Sequence, residues 1–138
     1  MSSIACLLQR AKALDSPTAA LDVELLLAHV LNKPRSYLYT WPEKIVAAHN
    51  VEHFEHLLQR RQAGEPIAYL LGQQGFWTLD LKVSPHTLIP RPETELMIET
   101  ALQLMDGQAS VKVLDLGTGT GAIALALASE RLSWHITG

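Results

Sequence analysis

Apolar residues recur at a helical spacing over the first half of this chain and at a period of two just beyond it. Ile4, Leu7, Leu8, Ala11 and Leu14 predict an amphipathic first helix over residues 1–14. A second helix is expected to start at Ser16-Pro17, where Ser can take the free N–H groups and Pro suits the first turn. Leu21, Leu25, Ala28 and Leu31 make its predicted face, and Asn32 with Pro34 closes it. Residues 35–42 read as a short helix or turn whose aromatic rings cover the bundle. A third long helix is predicted over 47–62, buried along Phe54, Leu57 and Leu58 and stopped by Gly64. One more short helix over 66–71 ends at Gly72. Residues 1–70 therefore read as a small helical bundle.

The period changes at Trp77. Trp77, Leu79, Leu81 and Val83 alternate with Thr78, Asp80 and Lys82, which predicts a half-buried strand with Trp77 on its buried side. With 73–76 before it and 84–88 after it, this becomes a β-hairpin linker. Residues 89–92, Ile-Pro-Arg-Pro, stay extended because each residue before a proline is driven out of the helical region. Helix resumes at Glu93, with Glu93 and Glu95 at its positive end and Leu96, Ile98, Leu102 and Met105 on its buried side. Gly107 closes it. A strand through Val111, Val113, Leu114 and Leu116, a glycine-rich loop, an Ala/Leu helix and a second strand at 134–137 complete the pattern. The fold class is α/β, with a helical domain over 1–72, a hairpin linker over 73–90 and the start of a doubly wound domain over 91–138. Such open sheets use ~5 strands or more, so the α/β portion is expected to be incomplete at residue 138.

Composition narrows the function classes. The 138 residues are 48% hydrophobic, enough for a real core, and carry a formal charge of −3. Residues 1–70 hold seven Lys/Arg against seven Asp/Glu, and 71–138 hold four against seven. With no basic patch, neither nucleic acid nor an anionic membrane is an expected partner. The single cysteine, Cys6, excludes an internal disulfide, fits a reducing cytosol and reads as a small buried apolar side chain. Gln9, Arg10 and Lys12 interrupt the first apolar stretch, so it is no signal peptide. No run approaches the ~18 apolar residues of a membrane span. These features together predict a soluble cytoplasmic protein.

Two motifs carry possible chemistry. His49, His53 and His56 share one helical face with Glu52 and Glu55 nearby, yet the Glu-x-x-His arrangement is missing. They read as a solvated face, and no metal site is expected. Residues 111–124, VKVLDLGTGTGAIA, are stronger: an apolar strand runs into glycine at every second position and then into a helix. Unpaired N–H groups open that helix at its positive end. The result is a receptacle for a nucleotide-like or carboxylate-bearing cofactor at the carboxyl end of a strand. Gly119-x-Gly121-x-x-Ala124 also satisfies the dinucleotide fingerprint, which keeps a nicotinamide or flavin enzyme as an alternative. Asp115 weighs against it. A carboxylate just before the first glycine repels a pyrophosphate and favours an ammonium or sulfonium.

The string Asp115-x-Gly117-x-Gly119-x-Gly121 resembles motif I of the class I S-adenosylmethionine-dependent methyltransferases. GEPIAYLLGQQGFW at 64–77, LKVSPHTLIPRPETE at 81–95 and LDLGTGTGAIALALASE at 114–130 follow a helical domain in that order. Together they resemble the peptide chain release factor glutamine methyltransferases over nearly the whole chain. The resemblance implies a Rossmann-like catalytic domain and methyl transfer from S-adenosylmethionine to a glutamine amide nitrogen. That glutamine lies in the Gly-Gly-Gln tip of class 1 release factors, which the helical domain would recognise. It further implies that Gly117, Thr118, Gly119, Thr120 and Gly121 cradle the methionine portion of the cofactor. Asp115 would fix this loop or face the cofactor's ammonium. Arg91, Glu93 and Thr94 would line the cleft, with Phe76 and Trp77 walling the substrate entrance. A monomer is expected.

The family's Asn-Pro-Pro-Tyr loop does not occur in these residues, and the acidic residue for the ribose hydroxyls is due beyond residue 138. No catalytic residue is therefore expected within the chain, and little transfer from it alone. Other readings remain open: a methyltransferase of this fold acting on another amide or amine, or a helical binding module with a vestigial extension.

Overall fold

Residues 2–138 are described by a computed structural model, in which contacts separate residues 1–71 from residues 72–138. In the first unit, α1 spans Ile4–Leu8 and is capped by the Ser3 hydroxyl, which accepts the Cys6 N–H at 3.3 Å. The predicted continuous helix instead tightens into a 3-10 segment at Gln9–Ala13; residue 1 of that prediction lies outside the described residues. Ile4 and Leu7 point inward at 1% and 2% exposure, which turns Cys6 to the surface. The expected buried thiol is thus an exposed one.

Helix α2 spans Ala19–Leu31 and starts two residues later than the Ser16-Pro17 reading. The Ser16 hydroxyl accepts the Thr18 N–H at 3.2 Å, as expected of a residue at a helix start, and is also bonded to Asp22 and Arg61. The buried face differs in part: Ala28 is buried and Leu31 packs on the core as predicted, but the fully buried residues are Val23, Leu26 and Leu27, and Leu21 is 39% exposed. This helix is apolar nearly all round, so periodicity does not select its inner face. Asn32 ends it in the left-handed region at φ 49°, returning its N–H to the Ala28 and His29 carbonyls. Helix α3, Arg35–Thr40, buries Leu38 and packs Tyr37 against the core as predicted, but leaves Tyr39 and Trp41 61% and 50% exposed, so only one of the three rings covers the bundle. Helix α4, Ala48–Gln62, buries Phe54, Leu57 and Leu58 as predicted, and α5, Ile67–Leu71, closes the unit. His49, His53 and His56 are exposed along α4.

In the second unit, β1 (Gln73–Phe76) and β2 (Leu79–Lys82) pair antiparallel, with Phe76 opposite Leu79. Trp77 and Thr78 are consequently the turn, not the start of the predicted strand. One 3-10 turn at Pro92–Thr94 leads into α6, Glu95–Leu104. Ile98 is fully buried as predicted, whereas Leu96 and Met105 are 66% and 36% exposed, against the reading of both as core. Strand β3 (Lys112–Leu114), helix α7 (Ala122–Glu130) and strand β4 (His135–Thr137) follow. β3 and β4 pair in parallel with Val113 opposite Ile136, so α7 is the crossover of a β-α-β unit. Phe76, Leu81, Ile98, Ala126, Leu127 and Trp134 form its core. No helix of the described residues is long and apolar enough to cross a membrane.

Candidate functional site

Asp115 follows the last residue of β3, and its N–H extends the ladder to the Thr137 carbonyl at 2.8 Å. Pinned there, its carboxylate reaches forward over the loop. Oδ2 accepts the Thr118 hydroxyl at 3.0 Å and the Ala124 N–H at 3.2 Å. Helix α7 has Gly121 at its N-cap and no side-chain cap of its own kind. Asp115 therefore caps α7 from across the loop, placing negative charge at the positive helix end.

The loop between them needs its glycines. Gly117, Gly119 and Gly121 have φ of 73°, 57° and 78°, a region in which side-chain-bearing residues cost about 1–2 kcal/mol each. A Cβ on Gly121 would also lie 3.2 Å from Leu125 Cδ1. A Cβ on Gly117 would meet nothing within 4 Å, so backbone at that point faces open space. A ligand can approach the main chain there without a side chain in between. Thr118 and Thr120 are half-buried between the glycines. Such a loop, with an acidic anchor and a helix N-terminus beyond it, can hold a compact zwitterionic or polar group.

The remaining predicted residues are placed less uniformly. Arg91 and Glu93 are exposed and Thr94 is half-buried, all at the entrance to α6. Glu93 lines a groove of about 380 Å³ along α6 with Leu96, Met97 and Leu104. Phe76 is 2% exposed and sits inside the core, so its ring supports the hairpin from within and does not present an open wall. A larger cavity of about 540 Å³ opens on the hairpin beside Gln73, Asp80 and Lys82 and includes none of the predicted site residues.

Three roles were not read from the sequence, those of Glu95, Glu130 and Gly138. Trp77 has φ 57°, unusual for a bulky residue. Its N–H donates to Glu95 Oε1 at 2.8 Å and its indole N–H to Glu130 Oε1 at 2.7 Å. These carboxylates, from α6 and α7, latch the hairpin turn. Gly138 is the third: a Cβ there would lie 2.6 Å from Thr118 Oγ1, the same oxygen that Asp115 holds. The only sequence signal for it was a glycine directly after a predicted strand.

The family model of the PrmC N-terminal domain matches residues 4–72. A release factor glutamine methyltransferase from Pseudomonas aeruginosa is 59% identical over 137 residues, covering 99% of this chain and 49% of that protein. Proteins of the same name from Vibrio cholerae and Shewanella oneidensis are 60% and 54% identical, covering 90% and 91% of this chain and 42% and 43% of their own lengths. The chain spans about half the length of the curated relatives it matches.

Proposed function

The chain belongs to the PrmC N-terminal domain family, and from that premise we propose that it supplies the recognition bundle and the cofactor-holding loop of an S-adenosylmethionine-dependent release factor glutamine methyltransferase. The observation carrying this reading is the three-glycine loop anchored by Asp115 at the end of β3. The residues present fit the cofactor's amino-acid portion. Open main chain at Gly117 leaves room for it, and Asp115 keeps a second carboxylate oxygen with which to meet an ammonium. A pyrophosphate would meet that same carboxylate and be repelled, which disfavours a nicotinamide.

S-adenosylmethionine, when bound, supplies an electrophilic methyl group on a sulfonium. The chain's own contribution is placement. Asp115 holds Thr118 and the first turn of α7, and the glycines keep side chains out of the space above them. Arg91, Glu93 and Thr94 at the head of α6 offer polar contacts to the substrate segment, and Phe76 supports the hairpin beside them from the core. Residues 1–72 dock the protein substrate, a class 1 release factor, whose Gly-Gly-Gln glutamine amide accepts the methyl. That amide nitrogen is a poor nucleophile, so orientation must supply much of the rate. The protein works in the cytoplasm as a monomer, with no direct contact to nucleic acid or membrane.

Titration of the isotope-labelled chain with S-adenosylhomocysteine or NAD, followed by NMR, tests the reading. Shifts centred on Gly117 to Gly121 with the first ligand, weakened about tenfold by Asp115→Ala, are expected. Shifts with NAD alone, or away from the loop, would overturn it.

A further inference from the structure

Four arginines of the helical unit each meet a carboxylate: Arg10 with Glu55, Arg35 with Glu24, Arg60 with Glu65 and Arg61 with Asp22. Lys33 and Lys44 do not. Among the described residues neither forms an ion pair, yet both ammonium groups converge on one ring, 5.6 and 5.5 Å from the centre of Tyr37. An aromatic face compensates an exposed cation only weakly, so a negative group arriving beside these lysines gains from charges that no carboxylate among the described residues of this unit neutralises.

Next to this pair lies a cavity of about 210 Å³, lined by Tyr37 and the two lysines together with Ile4, Val46 and Asn50. Its apolar floor belongs to the core, since Ile4 is 1% and Val46 5% exposed, and Ile45 forms a lip at 54%. The walls are preset. The Ile4 N–H donates to the Lys44 carbonyl at 3.0 Å, and Ser3 bridges antiparallel to Ile45. On the other side the Lys33 N–H is held at 3.0 Å by the Ala28 carbonyl at the end of α2. Small-molecule pockets begin near ~300 Å³, so this one suits a single apolar side chain and not a nucleotide. Nucleic acid would also need a basic stripe, whereas the arginines of this unit are already paired.

We infer that the Lys33–Tyr37–Lys44 pocket docks a protein segment in which an apolar side chain stands beside an acidic one. The apolar group seats against Ile4 and Val46, and the carboxylate meets the lysine ammonium groups that line the pocket. The occupant is a loop of the protein substrate, which rests on the release-factor reading above.

The test measures binding of a class 1 release factor to the full chain by calorimetry from about 50 to 200 mM salt. The Lys33→Gln/Lys44→Gln variant alters only exposed side chains, and circular dichroism checks its fold. About tenfold weaker binding at low salt, a flatter salt dependence and rescue by Lys33→Arg/Lys44→Arg are expected. Equal affinity and equal salt slope in wild type and Gln variant overturn the docking site while leaving the choice of partner standing. A wild-type chain that binds no release factor at about 100 μM also overturns it; the cofactor titration judges the methyltransferase reading separately.

Discussion

Asp22 shows how one side chain ties distant parts of the bundle. Its carboxylate is 3% exposed and accepts from Arg61 Nε at 2.8 Å, Ser16 Oγ at 2.8 Å and Thr18 Oγ1 at 2.9 Å. Burial pushes its pKa up, but those hydrogen bonds and the Arg61 charge outweigh burial and leave it below the ordinary 3.8. A carboxyl whose folded pKa is depressed stabilises the fold above its unfolded value and loses that contribution as pH falls through the folded one. Asp22→Ala strands the Arg61 charge and is expected to cost about 3 kcal/mol at pH 7. Urea unfolding at several pH values checks this: below about pH 4 the variant should lose stability less steeply than wild type. Equal acid slopes would assign the acid sensitivity to other groups. Legibility at this scale was uneven. Asp115 was readable as a loop anchor because its partners lie within nine positions. Asp22 was not, because Arg61 is 39 positions away.

At the scale of elements, the hairpin turn is the instructive case. Period-two alternation continues from Trp77 to Val83, and nothing in it marks where the ladder stops. The turn is decided by Glu95, 18 positions on, which captures the Trp77 N–H, and by Glu130, 53 positions on, which captures the indole. Positive φ at a tryptophan costs about 1–2 kcal/mol, an amount these two charge-assisted bonds can offset. Glu95→Ala should therefore loosen the hairpin, and amides of β1 and β2 should exchange about tenfold faster by hydrogen exchange. Glu95→Gln, which keeps an acceptor oxygen, should restore most of the protection. Unchanged exchange in the alanine variant would mean that the turn holds without its latch.

For the whole molecule, the two units have separate hydrophobic clusters. The first is built wholly from residues between Ile4 and Leu70, including Val23, Leu26, Leu27, Leu38 and Phe54 at 0% exposure. A unit of about 70 residues is near the lower size at which one core suffices without metals or disulfides. Residues 1–71 expressed alone should show a helical circular dichroism spectrum and a single cooperative thermal transition. A broad, non-cooperative melt would show that this core needs the second unit.

Composition and period alone determined the helical first half, the presence of a hairpin though not its turn, the strand–loop–helix order and the glycines at 117, 119 and 121. These are local properties, set by backbone sterics and by which residues recur every two or every three to four positions. Tertiary packing decided which side of the nearly all-apolar α2 faces inward, and that Leu96 stays exposed while Phe76 is enclosed. It also decided which carboxylate meets which donor, because those pairings join positions that come together only once each core has closed.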